Sequence, residues 1–330
     1  MEITLVTGAT GLVGYNIVNA LLKRNRKVKA LVRSIEKAQR LLPRKCELIQ
    51  GDVTNKDSLI NAMMDCSIVY HAAGFPEQWM KNIDIFKRVN VGGTQNMIDV
   101  ALQQKIKKFI FTSSIDVFAA DTGQEFDESI IDPLPKGTIY QRSKQEADKR
   151  VVAALDKGLP ALFIHPCGVY GPGPTDSPGT NDFIVKLYQG KVPALLPGGY
   201  PVVFGPDVGE GHVLAEEKAE PGSRFILCEA YYDLTELSRI ILKELGINKK
   251  MPPVMSLPVA KMLAGLGEWL AGIINKPPLI PKGQLFFLQL QARPQSKKAR
   301  QQLNWSPTPL REGLSKTISL LIGAKQDHEN

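Results

Sequence analysis

The octapeptide Thr7-Gly8-Ala9-Thr10-Gly11-Leu12-Val13-Gly14 follows directly on the apolar run Ile3-Thr4-Leu5-Val6. A short apolar run closed by glycine reads as a buried parallel strand, and residues 12–24 continue with apolar positions at helical spacing. Gly8, Gly11 and Gly14 therefore form a strand-to-helix turn. Glycine supplies the φ angles such a turn needs and lets backbone approach a pyrophosphate closely. The helix N-terminus then offers free N–H groups and a positive dipole end to that anion.

The same alternation runs on. Strands are expected at 3–7, 27–32, 46–50, 67–71, 107–112 and 161–166, and helices at 12–24, 35–42, 56–64, 82–104 and 141–157. Strands and helices in turn, with short connections, give an α/β doubly wound parallel sheet of Rossmann type. Ligands then bind at the carboxyl ends of the strands. A dinucleotide-binding domain is expected over 1–169.

Composition shifts at 170, where Gly171-Pro172-Gly173-Pro174 and Pro178-Gly179 punctuate the chain. Further on, helices are expected at 180–190, 208–218 and Leu234–Leu245, and a strand at Phe225–Cys228. Asp207 and Glu210 have the spacing of a capping box for the helix at 208–218. Residues 203–245 are expected to return to the first domain. Residues 170–202 and 246–330 are expected to form a smaller, mostly helical substrate-binding lobe.

The 330 residues, 22% charged and 43% hydrophobic, have the composition of a soluble globular enzyme. The N-terminus enters a strand without a basic or apolar leader, so a cytoplasmic protein is expected. Val254–Ile274 is the longest apolar segment, but Pro258, Lys261 and Glu268 interrupt it. An amphipathic helix packed on the protein is expected there, not a membrane span. Cys46, Cys66, Cys167 and Cys228 have no metal-ligand or CxxC spacing, so free thiols and no metal are expected.

The net charge of +8 is concentrated in residues 23–45, where ten basic residues stand against Glu36 alone. No nucleic-acid recognition motif accompanies them, so no nucleic-acid partner is expected. A solvated face and a pole that attracts a phosphorylated cofactor remain as readings.

Two segments carry chemistry. In Tyr140-Gln141-Arg142-Ser143-Lys144 the phenol and the ammonium lie one helical turn apart on one face. An ammonium beside a phenol favours the phenolate and lowers its pKa, making it usable in proton transfer. Phe109-Ile110-Phe111-Thr112-Ser113-Ser114 is an apolar strand ending in hydroxyls, which places them at the ligand edge of the sheet.

Gly51-Asp52-Val53, His71-Ala72-Ala73-Gly74, Val89-Asn90-Val91-Gly92-Gly93-Thr94 and His165-Pro166-Cys167-Gly168-Val169-Tyr170-Gly171-Pro172-Gly173 complete an ordered series. With Lys298-Ala299-Arg300 and Leu303-Asn304-Trp305-Ser306-Pro307, the series closely resembles the extended branch of the short-chain dehydrogenase/reductase superfamily. Within it, the dihydroflavonol-4-reductase-like and 3β-hydroxysteroid dehydrogenase-like subgroup is nearest.

The resemblance implies an oxidoreductase that reduces a ketone or aldehyde. Tyr140 is then the general acid, Lys144 the residue that holds the nicotinamide ribose and depresses the Tyr140 pKa, and Ser114 the residue that polarises the substrate oxygen. Gly8, Thr10, Gly11, Leu12 and Val13 hold the pyrophosphate, and Asp52 and Val53 the adenine edge. Ala72, Ala73 and Gly74 let the cofactor lie close to the fourth strand. Asn90, Thr112, Pro166 and Val169 complete the nicotinamide side. A homodimer through the helices at 82–104 and 141–157 is a further implication.

Two departures refine this. NAD-binding members carry an acid at the end of the second strand, where this chain has Arg33, with Lys37 one turn on. Arginine cannot accept from a ribose hydroxyl but pairs well with a 2′-phosphate, which favours NADP(H) and leaves NAD(H) second. The arginine with which many sugar-nucleotide members grip a diphosphate is missing from Tyr200-Pro201-Val202-Val203-Phe204, although Arg224 or Arg293 is available to replace it. His165 stands where arginine is more usual.

Phe75, Trp79, Tyr170, Phe183 and Tyr200 lie in segments expected to border the cleft, which suggests an apolar or aromatic small-molecule carbonyl substrate. The alternatives are a sugar-nucleotide epimerase or dehydratase and a non-catalytic NADP-binding regulatory protein.

Overall fold

The computed structural model describes residues 2–174, 177, 179–246 and 250–329. The first half alternates as β1 (Ile3–Thr7), α1 (Leu12–Lys23), β2 (Lys27–Val32), α2 (Ile35–Leu41), β3 (Glu47–Gln50), α3 (Lys56–Met63) and β4 (Cys66–His71). There follow α4 (Asp84–Phe86), a π-helical segment at Lys87–Gly93, α5 (Thr94–Gln103) and β5 (Lys108–Thr112). The chain continues through β6 (Glu125–Phe126), α6 (Ile139–Leu155), β7 (Ala161–Pro166), β8 (Gly168–Tyr170), α7 (Thr180–Gln189), β9 (Gly199–Phe204) and α8 (Gly205–Lys218). It closes with β10 (Arg224–Leu227), β11 (Ala230–Asp233), α9 (Leu234–Glu244), α10 (Leu257–Ile274), α11 (Lys282–Leu290), β12 (Arg293–Pro294), α12 (Lys297–Leu303) and α13 (Leu310–Glu329).

Seven strands form one parallel sheet in the order β10-β7-β5-β4-β1-β2-β3. The order reverses between β1 and β4, and the crevice at that switch point is where a doubly wound sheet binds its ligand. The strands are near-continuous apolar runs because helices cover both faces. On one face Ile17, Leu21, Ile110, Ile164 and Phe225 share a core; on the other Leu5, Val69, Met97, Phe109 and Val151 share a second.

The helix expected at 82–104 is interrupted by the π-helical turn that carries Asn90. Widened turns of this kind recur at functional sites.

The lobe has its own three-stranded sheet, β11-β9-β8, which the sequence did not mark. The expected return of 203–245 is shorter than the sequence suggested. β10 completes the large sheet and α8 packs along α1, but β11 and α9 stay in the lobe. The reason is hydrophobic: Leu234, Leu237 and Ile241 bury against Leu310, Leu314 and Ile318.

The expected capping box at 208–218 does not form. The helix starts earlier, with Pro206 in its first turn. The Asp207 carboxylate instead accepts from the Thr308 N–H (2.6 Å) and hydroxyl (3.0 Å), and Glu210 pairs with Arg24.

α10 forms from Leu257 rather than Val254, is packed on the protein less than expected, and is the one described helix long and apolar enough to cross a membrane. It meets the protein through the small residues Ala260, Ala264 and Ala271, while Met262, Leu266, Trp269 and Ile273 face outward. All four cysteines are free, three of them buried.

Candidate active site

The glycine turn is shaped by close approach. Gly8 has φ +69°, and a Cβ there would fall 2.7 Å from the Ala72 carbonyl and the Ala73 nitrogen. A Cβ on Gly14 would fall 2.2 Å from the Gly8 oxygen, so α1 packs hard against the turn. Gly11 is the N-cap of α1 and has ordinary extended backbone, with no side chain to satisfy the first helical N–H groups. Thr10, Leu12 and Val13 thus frame an uncapped helix end beside the switch point, a cradle that fits a pyrophosphate.

A buried relay ties this edge to Asn90. The Ala73 N–H donates to the Thr7 hydroxyl (3.2 Å), which lies 2.8 Å from His71 Nδ1. His71 Nε2 lies 3.0 Å from the Thr94 hydroxyl, which donates to the Asn90 carbonyl at 2.6 Å. Because Thr94 spends its proton on Asn90, His71 must carry its proton on Nε2 and accept from Thr7 on Nδ1. Burial pushes the His71 pKa down to about 3, so the ring stays neutral. Asn90 in turn accepts from the Phe75 N–H (2.7 Å) and donates to Ser143 Oγ (2.8 Å), linking the loop after Gly74 to α6.

Thr138 and Gln141 form a reciprocal capping box that starts α6. Tyr140 and Lys144 follow one turn apart. Ser114, at the end of β5, shares a hydrogen bond with Tyr140 and donates to Asp116 Oδ2 at 2.7 Å. Gln141 Nε2 donates to Asp116 Oδ1, also at 2.7 Å. Lys144 Nζ donates to the Thr112 carbonyl (2.8 Å) and lies 5.1 Å from the centre of the Phe111 ring.

The expected depression of the Tyr140 pKa by Lys144 is not what this arrangement produces. Burial and then the Asp116 carboxylate push the phenol up, against the Ser114 bond. Lys144 is itself pushed down to about 8 by burial, opposed by Asp148 and Asp116. Its ammonium is directed to the Thr112 carbonyl instead of the phenol.

The three hydroxyls closing β5 part company. Thr112 Oγ1 turns to His212 on α8 (2.9 Å), so Thr112 meets the site through its carbonyl alone. Ser113 donates to Asp148 Oδ2 (2.6 Å), and Ser114 faces Tyr140. Beneath them Arg224 holds Asp148 through two bonds, of 2.7 and 3.1 Å, and stacks 4.1 Å from the Phe163 ring. Arg224 also lies 3.3 Å from His165 Nε2, which must accept, so His165 Nδ1–H donates to the Ser114 carbonyl at 3.0 Å. His165 therefore supports the backbone of Ser114 from below. Arg224 is committed to this network and is not available to grip a diphosphate.

At the far end of the crevice, Arg33 and Lys37 are exposed, and Ser34 caps α2 by accepting from the Lys37 N–H. Asp52 holds Thr54 through its N–H and hydroxyl, both at 2.8 Å. Val53 is buried where a Cβ on Gly93 would strike it. Pro166 and Val169 are half-buried at the end of β7 and in β8. Tyr170, expected at the cleft, is fully buried in the lobe core beside Phe204, and the Tyr200 hydroxyl is taken by Thr180. Asp116 and Asp148 were missed by sequence reasoning, which named His71, Arg224 and His165 but not the network that joins them. Only Asp116, two residues beyond Ser114, stood close enough in the chain to be found.

The sequence pattern of the NAD dependent epimerase/dehydratase family matches residues 4–228. A Synechocystis sp. protein named after dihydroflavonol 4-reductase is 27% identical over 322 residues, covering 95% of this chain and 92% of its own. The decarboxylating sterol-4-alpha-carboxylate 3-dehydrogenase of Saccharomyces cerevisiae is 25% identical, covering 97% of both chains. The crystal structure of gox2253 superposes with a TM-score of 0.83 at 28% identity, over 98% of this chain and 99% of that one.

Proposed function

The chain belongs to the NAD dependent epimerase/dehydratase family, and from that premise we propose that it is an NADPH-dependent oxidoreductase that reduces a ketone or aldehyde. The observation that carries this reading is the cluster of Ser114, Tyr140 and Lys144 at the carboxyl edge of the sheet, beside the uncapped end of α1. The N–H groups of Leu12, Val13 and Gly14 would hold the pyrophosphate, the Gly11 N–H being taken by the Gly8 carbonyl at 2.9 Å, and Lys144 would hold the ribose hydroxyls. Arg33 and Lys37 would hold a 2′-phosphate. When bound, the nicotinamide supplies hydride to the carbonyl carbon.

The chain's own residues supply the rest. The Ser114 hydroxyl, which donates to Asp116 Oδ2 in this structure, turns its one proton to the substrate oxygen when the substrate binds and polarises it. The Tyr140 phenol, pushed up by burial and by Asp116, stays protonated and donates to the same oxygen as negative charge develops there. A protonated phenol beside an ordered serine suits the reductive direction.

Arg224 is held by Asp148, which removes one of the two arginines that could supply the diphosphate grip of a sugar-nucleotide epimerase; the other, Arg293, is exposed and lies 4.6 Å from the centre of the Tyr231 ring. An apolar substrate suits a cleft approached by Phe75 and Trp79, and the similarity to the yeast sterol dehydrogenase points the same way. We further propose a cytoplasmic enzyme.

The test is oxidation of NADPH and NADH, run in parallel against aldehydes, flavanonols, steroid ketones and keto-sugars, with Tyr140→Phe as blank. NADPH-selective turnover lost in Tyr140→Phe supports the reading. Replacement of Arg33 by serine should then raise KM for NADPH by roughly tenfold or more, the loss of one charge-assisted contact, and leave NADH unchanged. Copurified NAD without net oxidation would overturn it in favour of an epimerase or dehydratase.

A further inference from the structure

α10 is inside out. On a water-facing helix the large apolar side chains turn to the protein and the small or polar ones to solvent. Here Ala260, Ala264 and Ala271 turn inward, and Lys261 and Glu268 do not lie on the apolar stripe. Met262, Leu266, Trp269, Leu270 and Ile273 recur at spacings of three and four residues and form one outward stripe. Met262, Trp269 and Ile273 are 63, 64 and 64% exposed. Leu279, beyond the helix, is 85% exposed, and Phe286 of α11 is also exposed, with its ring against Gly137. A contiguous apolar surface of this kind marks an interaction site.

The charges around it narrow the occupant. Residues 250–290 contain Lys250, Lys261, Lys276 and Lys282, all exposed, and no arginine or aspartate. The single acid, Glu268, is occupied: it accepts from the Lys282 N–H at 2.8 Å and pairs with Lys282 Nζ at 3.5 Å. An apolar stripe with a tryptophan in it, with Lys261 on the flank of the helix and Lys276 just past its end, matches an anionic lipid interface. A second copy would bring two sets of these lysines face to face, which like-charge repulsion opposes. A span would require α10 to leave the alanine-lined contact it makes with the protein.

We propose that α10 docks on an anionic phospholipid surface and lies in its plane, with Met262, Leu266, Trp269 and Ile273 at the acyl boundary and Lys261 and Lys276 among the phosphates. Docking is read without turnover, so it stands or falls apart from the reductase reading.

The experiment is flotation of the full chain with vesicles of phosphatidylcholine, with and without phosphatidylglycerol, alongside sedimentation without lipid. The chain is expected to float with the anionic vesicles and to be released as salt rises. Leu266→Glu with Ile273→Glu should cut partitioning by about a hundredfold, on the order of tenfold for each apolar side chain withdrawn, while the melting temperature holds. Lys261→Glu with Lys276→Glu should weaken binding to anionic vesicles alone. Failure to float with either vesicle overturns the proposal. So does a concentration-dependent dimer that Leu266→Glu with Ile273→Glu abolishes, because a second copy would then cover the face.

Discussion

α6 and α10 are both helices whose faces are turned the wrong way for water, in opposite senses. α6 buries Gln141, Ser143, Lys144, Gln145 and Asp148, whereas α10 exposes Met262, Leu266, Trp269 and Ile273. Every one of the buried polar groups on α6 has a partner: Asp116, Asn90, the Thr112 carbonyl, the loop after Asp132, or Arg224. The apolar groups on the outer face of α10 have no comparable packing among the described residues. A buried polar face is affordable only when each group is satisfied, and that requirement makes α6 rigid and its chemistry oriented. An exposed apolar face needs no internal partner, and its cost is met only when something outside covers it.

Perturbing the two helices should therefore give unlike results. The largest effect is expected at Asp148→Ala, which strands the Arg224 guanidinium beneath β5. Breaking a buried pair in this way costs about 3–5 kcal/mol, measurable by denaturant unfolding. A loss under about 1 kcal/mol would show that solvent reaches Arg224 and that α6 is not the closed network described.

Next in size, Tyr140→Phe should lower kcat/KM by roughly a thousandfold, equivalent to about 4 kcal/mol of barrier, without loss of stability. Retained turnover in that variant would remove the phenol from the chemistry.

A pH series on Lys144→Met sharpens the comparison further. The folded pKa of Lys144, about 8, lies below its unfolded value of 10.5. Between those values the unfolded chain binds more protons, so this residue makes stability rise with pH across that window, on the order of 3 kcal/mol. Below about pH 8 both states are protonated and the folded chain carries the full burial cost. The difference between native protein and Lys144→Met in melting temperature against pH should therefore change across that window; parallel curves would mean that Lys144 is solvated.

The smallest effect is expected on α10. In lipid-free buffer, Leu266→Gln should change stability by no more than about 0.5 kcal/mol, as an exposed substitution does. A loss above about 2 kcal/mol would mean that the stripe is packed in solution after all.

What was legible in the sequence follows from range. The six strands read from apolar runs, and β10 after them, depend on local composition and lie within a residue or two of where they were expected. Tyr140, Lys144 and Ser114 lie in short segments that place them on one helix face and one strand end. β8, β9 and β11 were not legible, because β8 and β11 are only three and four residues long and β9 is interrupted by Pro201. Arg224 and Asp148 are 76 residues apart, and no local pattern pairs them. Asp207 had the spacing of a cap and was claimed by Thr308, 101 residues on. For α10 the period was readable but its direction was not: spacing reveals that a helix has a stripe, and only the packing of the alanines reveals which way the stripe faces.

The divided lobe has a consequence for synthesis. Its core joins Tyr170 and Ile184 to Leu310, Leu314 and Leu321, whereas six strands of the large sheet lie within the first 166 residues. As the ribosome delivers the chain, the sheet can begin to close while the lobe's apolar residues wait for α13, some 140 residues after Tyr170. Nascent chains halted before Leu310 should hold a largely formed sheet beside an unfilled lobe, with Tyr170 and Phe204 open to chaperones until the last helix arrives.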